Sequence, residues 1–167
     1  MKRSLLILVS LFAAAAAFAA GTSSSGGSSG GGGGSTASSS SKPASAQPTT
    51  PSDWYNLGYS ASNQGRYAEA IQDFSTAIRM KGDYAEAYNM LGYCTRKNGD
   101  VSKAFGYYET ALKLKPNFPE AREYYGEAWL QQGNLAKAVQ QYIILEKAGS
   151  KNAKELLDKI SDFVSQS

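Results

Sequence analysis

Glu120, Glu123 and Glu127 are spaced three and four residues apart, which sets three carboxylates on one face of a helix. A pair such as Glu123 and Glu127 does general acid–base chemistry when burial drives the two pKa values apart. An open helix face desolvates neither acid, and the residues around these three announce no pocket. The expectation is a charged surface, not an active site. On an isolated helix the repulsion costs a few tenths of a kcal/mol, which Arg96 and Lys97, or a basic group on a ligand, would offset. Composition closes most other chemistry. The chain has no histidine, which removes Ser-His-Asp and Cys-His catalysis and histidine metal sites. Cys94 is the sole cysteine, so neither an internal disulfide nor a thiolate cluster is available.

The elements that must position these residues are written three times. The chain reads "WYNLGYSASNQGRYAEA" from Trp54, "YNMLGYCTRKNGDVSKA" from Tyr88 and "REYYGEAWLQQGNLAKA" from Arg122, an interval of 34 residues. Gly65, Gly99 and Gly133 each close one helical stretch and precede another, as expected of residues that end a helix with positive φ. Asp100 and Asn134 then stand at N-cap positions, and Arg66 fills that place more weakly in the first copy. The unit is helix, tight turn, helix.

A second triplet, Gly58, Gly92 and Gly126, falls inside the first helix of each copy. Mid-helix glycine costs about 1 kcal/mol relative to alanine, so its repetition implies a helix crossing that admits no side chain. Ala70, Ala104 and Ala138 are the matching small residues on the second helices. Leu57, Leu91 and Tyr125, with Phe74, Tyr108 and Tyr142, are expected to fill the space around them. Cys94 is matched by Ser60 and Ala128 and reads as a small, buried packing residue. Thr50-Pro51-Ser52-Asp53 offers a helix start, and Asp83 with Glu86, Asn117 with Glu120 and Asn152 with Glu155 have capping-box spacing.

These residues resemble the tetratricopeptide repeat family, with its 34-residue period and its W-x2-L-G-x2-Y, A-x3-F and P signature. The first copy supplies Trp54, Leu57, Gly58, Ala70, Phe74 and Ala77. The second supplies Tyr88, Leu91, Gly92, Ala104, Tyr108, Ala111 and Pro116. The third keeps Gly126, Ala138 and Tyr142 but carries Arg122, Tyr125 and Leu145 where the family has an aromatic, a leucine and an alanine. The resemblance implies an all-α fold: a right-handed superhelical array of three helix-turn-helix hairpins, at 51–84, 85–118 and 119–150. A helix over 151–167, with Leu156, Ile160 and Val164 on one face, is expected to cap the array.

In such an array the first helix of each hairpin lines the inner, concave surface. Helical spacing selects Tyr55, Tyr59, Ser62 and Asn63 in the first copy, and Glu86, Asn89, Tyr93, Arg96 and Lys97 in the second. Glu120, Glu123, Glu127, Leu130 and Gln131 come from the third. Tyr55, Tyr59 and Tyr93 make an aromatic wall suited to an extended or helical peptide, and the glutamates favour a basic group on it. Some family members grip a chaperone's terminal carboxylate with lysines and asparagines. The basic positions of that clamp hold Tyr55, Glu120 and Tyr124 here, so it is not expected.

Lys2 and Arg3, the apolar run after them and the small residues Ala17 and Ala19 describe a signal peptide over 1–19. The run is short for a membrane anchor, which needs about 20 apolar residues. Residues 20–50 are rich in Gly, Ser, Pro and Thr and read as a disordered tether. Loss of Lys2 and Arg3 lowers the net charge from +3 to about +1, without the basic stripe that nucleic acid requires. The expected protein is an exported, non-catalytic interaction module of a bacterial envelope, periplasmic or extracellular. It needs no cofactor or metal and takes a protein or peptide partner. Self-assembly into a homo-oligomeric envelope component is the alternative.

Overall fold

A computed structural model describes residues 47–166. The signal peptide expected at 1–19, and the tether up to residue 46, lie outside the described residues. Among those described, seven α-helices and no strand are formed. Helices α1 (Pro51–Asn63) and α2 (Tyr67–Met80) make the first hairpin. Helices α3 (Ala85–Lys97) and α4 (Val101–Leu114) make the second, α5 (Pro119–Gln131) and α6 (Leu135–Lys147) the third, and α7 (Asn152–Ser165) follows. Each hairpin packs on the next through α2 with α3 and α4 with α5. Neighbouring first helices also meet, α1 with α3 and α3 with α5, whereas α2, α4 and α6 do not. The stack therefore closes toward its first helices.

Local chemistry fixes the turns inside the hairpins. Gly65, Gly99 and Gly133 take φ of 72°, 102° and 74°, the left-handed region where a Cβ is penalised. After two of them the cap side chain accepts from the first turn: Lys103 N donates to Asp100 Oδ1 at 3.0 Å, and Lys137 N to Asn134 Oδ1 at 3.1 Å. Arg66 makes no such bond. Asp100→Ala is expected to cost about 1 kcal/mol, measured by urea denaturation. Thr50 opens α1 with a complete capping box: Asp53 N donates to Thr50 Oγ1 and Thr50 N to Asp53 Oδ2. Those bonds, led by the Thr50 N–H, hold the Asp53 carboxyl below its usual range.

The other three expected capping boxes do not form. Tyr84 and Phe118, one residue later than Asp83 and Asn117, occupy the N-cap positions of α3 and α5 without a side-chain cap. Burying a ring outweighs a cap there: Phe118 is buried, and Tyr84 stacks on Tyr55. Glu86, freed from capping, accepts from Lys115 Nζ at 2.8 Å. At the last junction Asn152 is already helical, and its amide turns inward to Glu123.

The mid-helix glycines meet what they were expected to meet in two copies of three. A Cβ at Gly58 would lie 3.0 Å from the Phe74 ring, and one at Gly92 would lie 2.8 Å from the Tyr108 ring. At Gly126 the occupant is Leu156 of α7, at 2.6 Å, and not Tyr142. Tyr142 is only half-buried and donates its hydroxyl to Glu146 at 2.9 Å. Helix α7 thus supplies the third copy with the filler that α6 withholds. Leu145 and Leu156 are both fully buried, with Ile160 and half-buried Phe163 beside them. Val164, expected on the same face, is exposed.

Leu57 is a second correction. It is 44% exposed, whereas Leu91, one period on, is 3% exposed. Leu91 and Cys94 pack on Ala70 and Phe74 of the preceding hairpin. Among the described residues no hairpin precedes Leu57 and Ser60, and both are exposed. Cys94 itself is a buried free thiol, 3.4 Å from Ser62 Oγ, and burial pushes its pKa up.

Candidate functional site

The 34-residue period turns the inner side into rungs: Tyr55, Asn89 and Glu123; Tyr59, Tyr93 and Glu127; Ser62, Arg96 and Leu130; Asn63, Lys97 and Gln131. Helical geometry sets the first three rungs about one turn apart along α1, α3 and α5, with the fourth one residue beyond the third.

The first two rungs carry the rings. Tyr55 is half-buried and stacks between Tyr59, at 6.3 Å between centroids, and Tyr84, at 5.2 Å. It also tilts against Phe74. Burial pushes its phenol up to about 12. Tyr59 remains 47% exposed. Tyr93 lies 5.1 Å from Tyr124 and meets Tyr67 edge-on at 6.2 Å. Burial, with the charges of Glu123, Tyr93, Glu127 and Tyr59 added, pushes the Tyr124 phenol up to about 12. Tyr84, Tyr124 and Tyr67 extend the wall beyond the three tyrosines expected. None falls on the rungs, so the period gave no signal for them.

The polar residues divide by burial. Asn89 is 3% exposed, and its Oδ1 has no hydrogen-bond partner. Arg96 is buried. Its Nη2 donates to Glu127 Oε2 at 2.7 Å, its Nε to the Tyr108 hydroxyl at 3.4 Å, and its guanidinium lies 5.7 Å from the Tyr93 ring centroid. Asn63, Lys97 and Glu120 are exposed, and none of them joins the Arg96 cluster. A cleft of about 250 Å³ opens where α3, α5 and α7 meet, between Arg96, Glu127, Leu130 and Phe163.

Glu123 overturns the expectation of three solvated glutamates. It is 9% exposed, accepts from Asn152 Nδ2 of α7, and burial pushes its carboxyl up to about 7. The cause is α7, which lies across α5 where an open face was expected. Glu123 faces the joint between α5 and α7, where Asn152 meets it. Among the described residues no cluster of three or more acids or thiols could hold a metal ion, and no helix is long and apolar enough to cross a membrane.

The tetratricopeptide repeat model matches residues 55–117 and 96–153. No curated protein matches the chain. Among solved structures, the type III secretion translocator chaperone SycD of Yersinia enterocolitica is 22% identical, with a TM-score of 0.61 over 70% of this chain and 89% of that one. SycD has also been solved in complex with a peptide of the translocator YopD, at a TM-score of 0.60. The first repeat domain of Spaghetti (RPAP3), bound to the HSP90 peptide SRMEEVD, is 19% identical, with a TM-score of 0.61 over 71% of this chain and 95% of that one. MamA is 28% identical, with a TM-score of 0.54 over 69% of this chain and 63% of that one.

Proposed function

This chain belongs to the tetratricopeptide repeat family, and on that premise we propose that it is a non-catalytic adaptor holding a segment of another protein along its inner face. The observation that carries this reading is the aromatic wall. Tyr59 stands exposed on top of Tyr55, and the rings continue through Tyr93 to Tyr124. Rings of this kind offer apolar area and a hydroxyl at little conformational cost, and exposed Tyr59, flanked by half-buried Tyr55, Tyr93 and Tyr124, is surface left for a partner. SycD and the RPAP3 domain, which share the fold, each hold a peptide in the solved complexes. Tyr55, Glu120 and Tyr124 at the clamp positions direct recognition to the rings and away from a terminal carboxylate.

The apolar leader with Lys2 and Arg3, and the Gly/Ser-rich stretch after it, favour export to a bacterial periplasm or beyond, with the array on a flexible arm. Tyr59→Ala with Tyr93→Ala is expected to lower capture of the partner from the native envelope fraction at least tenfold while far-UV circular dichroism is unchanged. Equal capture by the double variant would remove the groove from the account. Self-assembly through the array's ends is a second reading, favoured by Leu57, which is exposed where Leu91 is covered. Light scattering across a concentration series separates the two, because only the second predicts mass growing with concentration.

A further inference from the structure

We infer that the open end of the third hairpin, where α5 begins and α6 ends, is a second docking site. Its cleft takes an aromatic side chain of a partner segment, and Arg122 pairs with an acidic residue next to that side chain. The cleft has a volume of about 400 Å³, and Phe118, Pro119, Ile144, Leu145 and Ala148 give it apolar walls. It shares no residue with the rungs of the inner face. Ile144 is 40% exposed, a large apolar side chain that the fold leaves uncovered at this place.

The 34-residue period identifies the side chain that this joint lacks. In the second copy Tyr88 packs against the cluster of Ala85, Ala111, Phe118 and Ala121. One interval on, Arg122 replaces that ring, and Ala148 and Ser150 replace Leu114 and Pro116. In the same step Ile144 and Leu145 replace Thr110 and Ala111. The third copy thus loses an aromatic side chain while the walls around its place become more apolar. A cavity of about 150 Å³ already admits benzene, so the cleft accepts a phenyl ring with room for the residue beside it. Arg122 selects the charge of that residue. Its Nη2 donates to Pro116 O at 3.0 Å and its Nη1 to Gln141 Oε1 at 3.4 Å, both neutral acceptors. Among the described residues no carboxylate pairs with Arg122, Glu120 of the same turn included. A guanidinium held this way keeps N–H groups for a carboxylate. Pro119 is the first residue of α5, whose N-terminus has no side-chain cap, so the helix field at the cleft also favours an anion.

Nitrogen-15 chemical-shift titration of the full chain tests the site with three blocked dipeptides: acetyl-Phe-Asp-amide, acetyl-Phe-Asn-amide and acetyl-Ala-Asp-amide. The first is expected to move the amides of Phe118, Arg122, Ile144 and Ala148 with millimolar affinity, and the other two to bind at least about fivefold more weakly. Arg122→Gln is expected to bring the acidic aromatic probe down to the level of its asparagine counterpart. Ala148→Leu restores the leucine of the second copy at an exposed position, so it fills the cleft without burdening the core, and binding of all three is expected to vanish. The Tyr59→Ala, Tyr93→Ala variant is expected to bind the probes unchanged, which separates this site from the inner face. Silence at the cleft up to about 10 mM probe, shifts at Tyr59 and Tyr93 alone, or binding that survives Ala148→Leu overturns the proposal. So does equal affinity for the aspartate and asparagine probes, unmoved by Arg122→Gln.

Discussion

Gly92→Ala is expected to destabilise the protein by about 2 kcal/mol, against the gain of about 1 kcal/mol that alanine brings to a helix interior. The new Cβ would lie 2.8 Å from Cε1 and 2.9 Å from Cδ1 of Tyr108, whose ring is fully buried. That ring cannot back away cheaply. Its hydroxyl accepts from Arg96, which is itself fixed to Glu127 of the next hairpin. A shift of Tyr108 would therefore disturb α3, α4 and α5 together. Gly58→Ala supplies the internal comparison. Its Cβ would lie 3.0–3.1 Å from Phe74, a ring as fully buried as Tyr108 but with no hydroxyl to tether it and a slightly wider approach. That variant is expected within about 1 kcal/mol of the wild type. Urea denaturation of both variants checks the pair. Equal stability of the two would show that the tether on Tyr108 carries no weight.

The contrast between those glycines also marks what the sequence could express. The period, the hairpins, the turn glycines and the crossing at Gly92 were legible because each rests on contacts within one 34-residue unit, repeated. Residues whose fate depends on the array having ends were not legible. Leu57 carries the family's leucine and yet stays exposed, because no hairpin covers it among the described residues. Tyr142 carries the family's aromatic and yet leaves its slot, because α7 fills it from outside the period. Glu123 looked like one of three equivalent glutamates on an open face. Burial by α7 split the set into exposed Glu120, buried Glu123 and Arg96-paired Glu127. The capping boxes at Asp83 and Asn117 failed for a different reason. Their spacing was right, but an aromatic residue beside each gains more from packing than a cap returns.

Leu156→Ala is expected to cost about 2–5 kcal/mol, the range for truncating a fully buried leucine whose site cannot collapse. The loss should be local. In a repeat array each unit contacts only its neighbours, so α7 and the α5–α6 hairpin loosen while α1–α4 keep their exchange protection. Gly126 then makes the assignment of the slot testable. Gly126→Ala alone places a Cβ 2.6–2.8 Å from the Leu156 methyls, so the leucine must rotate and some stability is lost. In the Leu156→Ala background those methyls are gone. The same alanine then fills part of the cavity and adds about 1 kcal/mol of helix propensity, so its effect changes sign. A double-mutant cycle by urea denaturation should return a favourable coupling of about 1–2 kcal/mol. Additive effects would mean that Leu156 does not sit over Gly126, and α7 would then not be the element that completes the third hairpin.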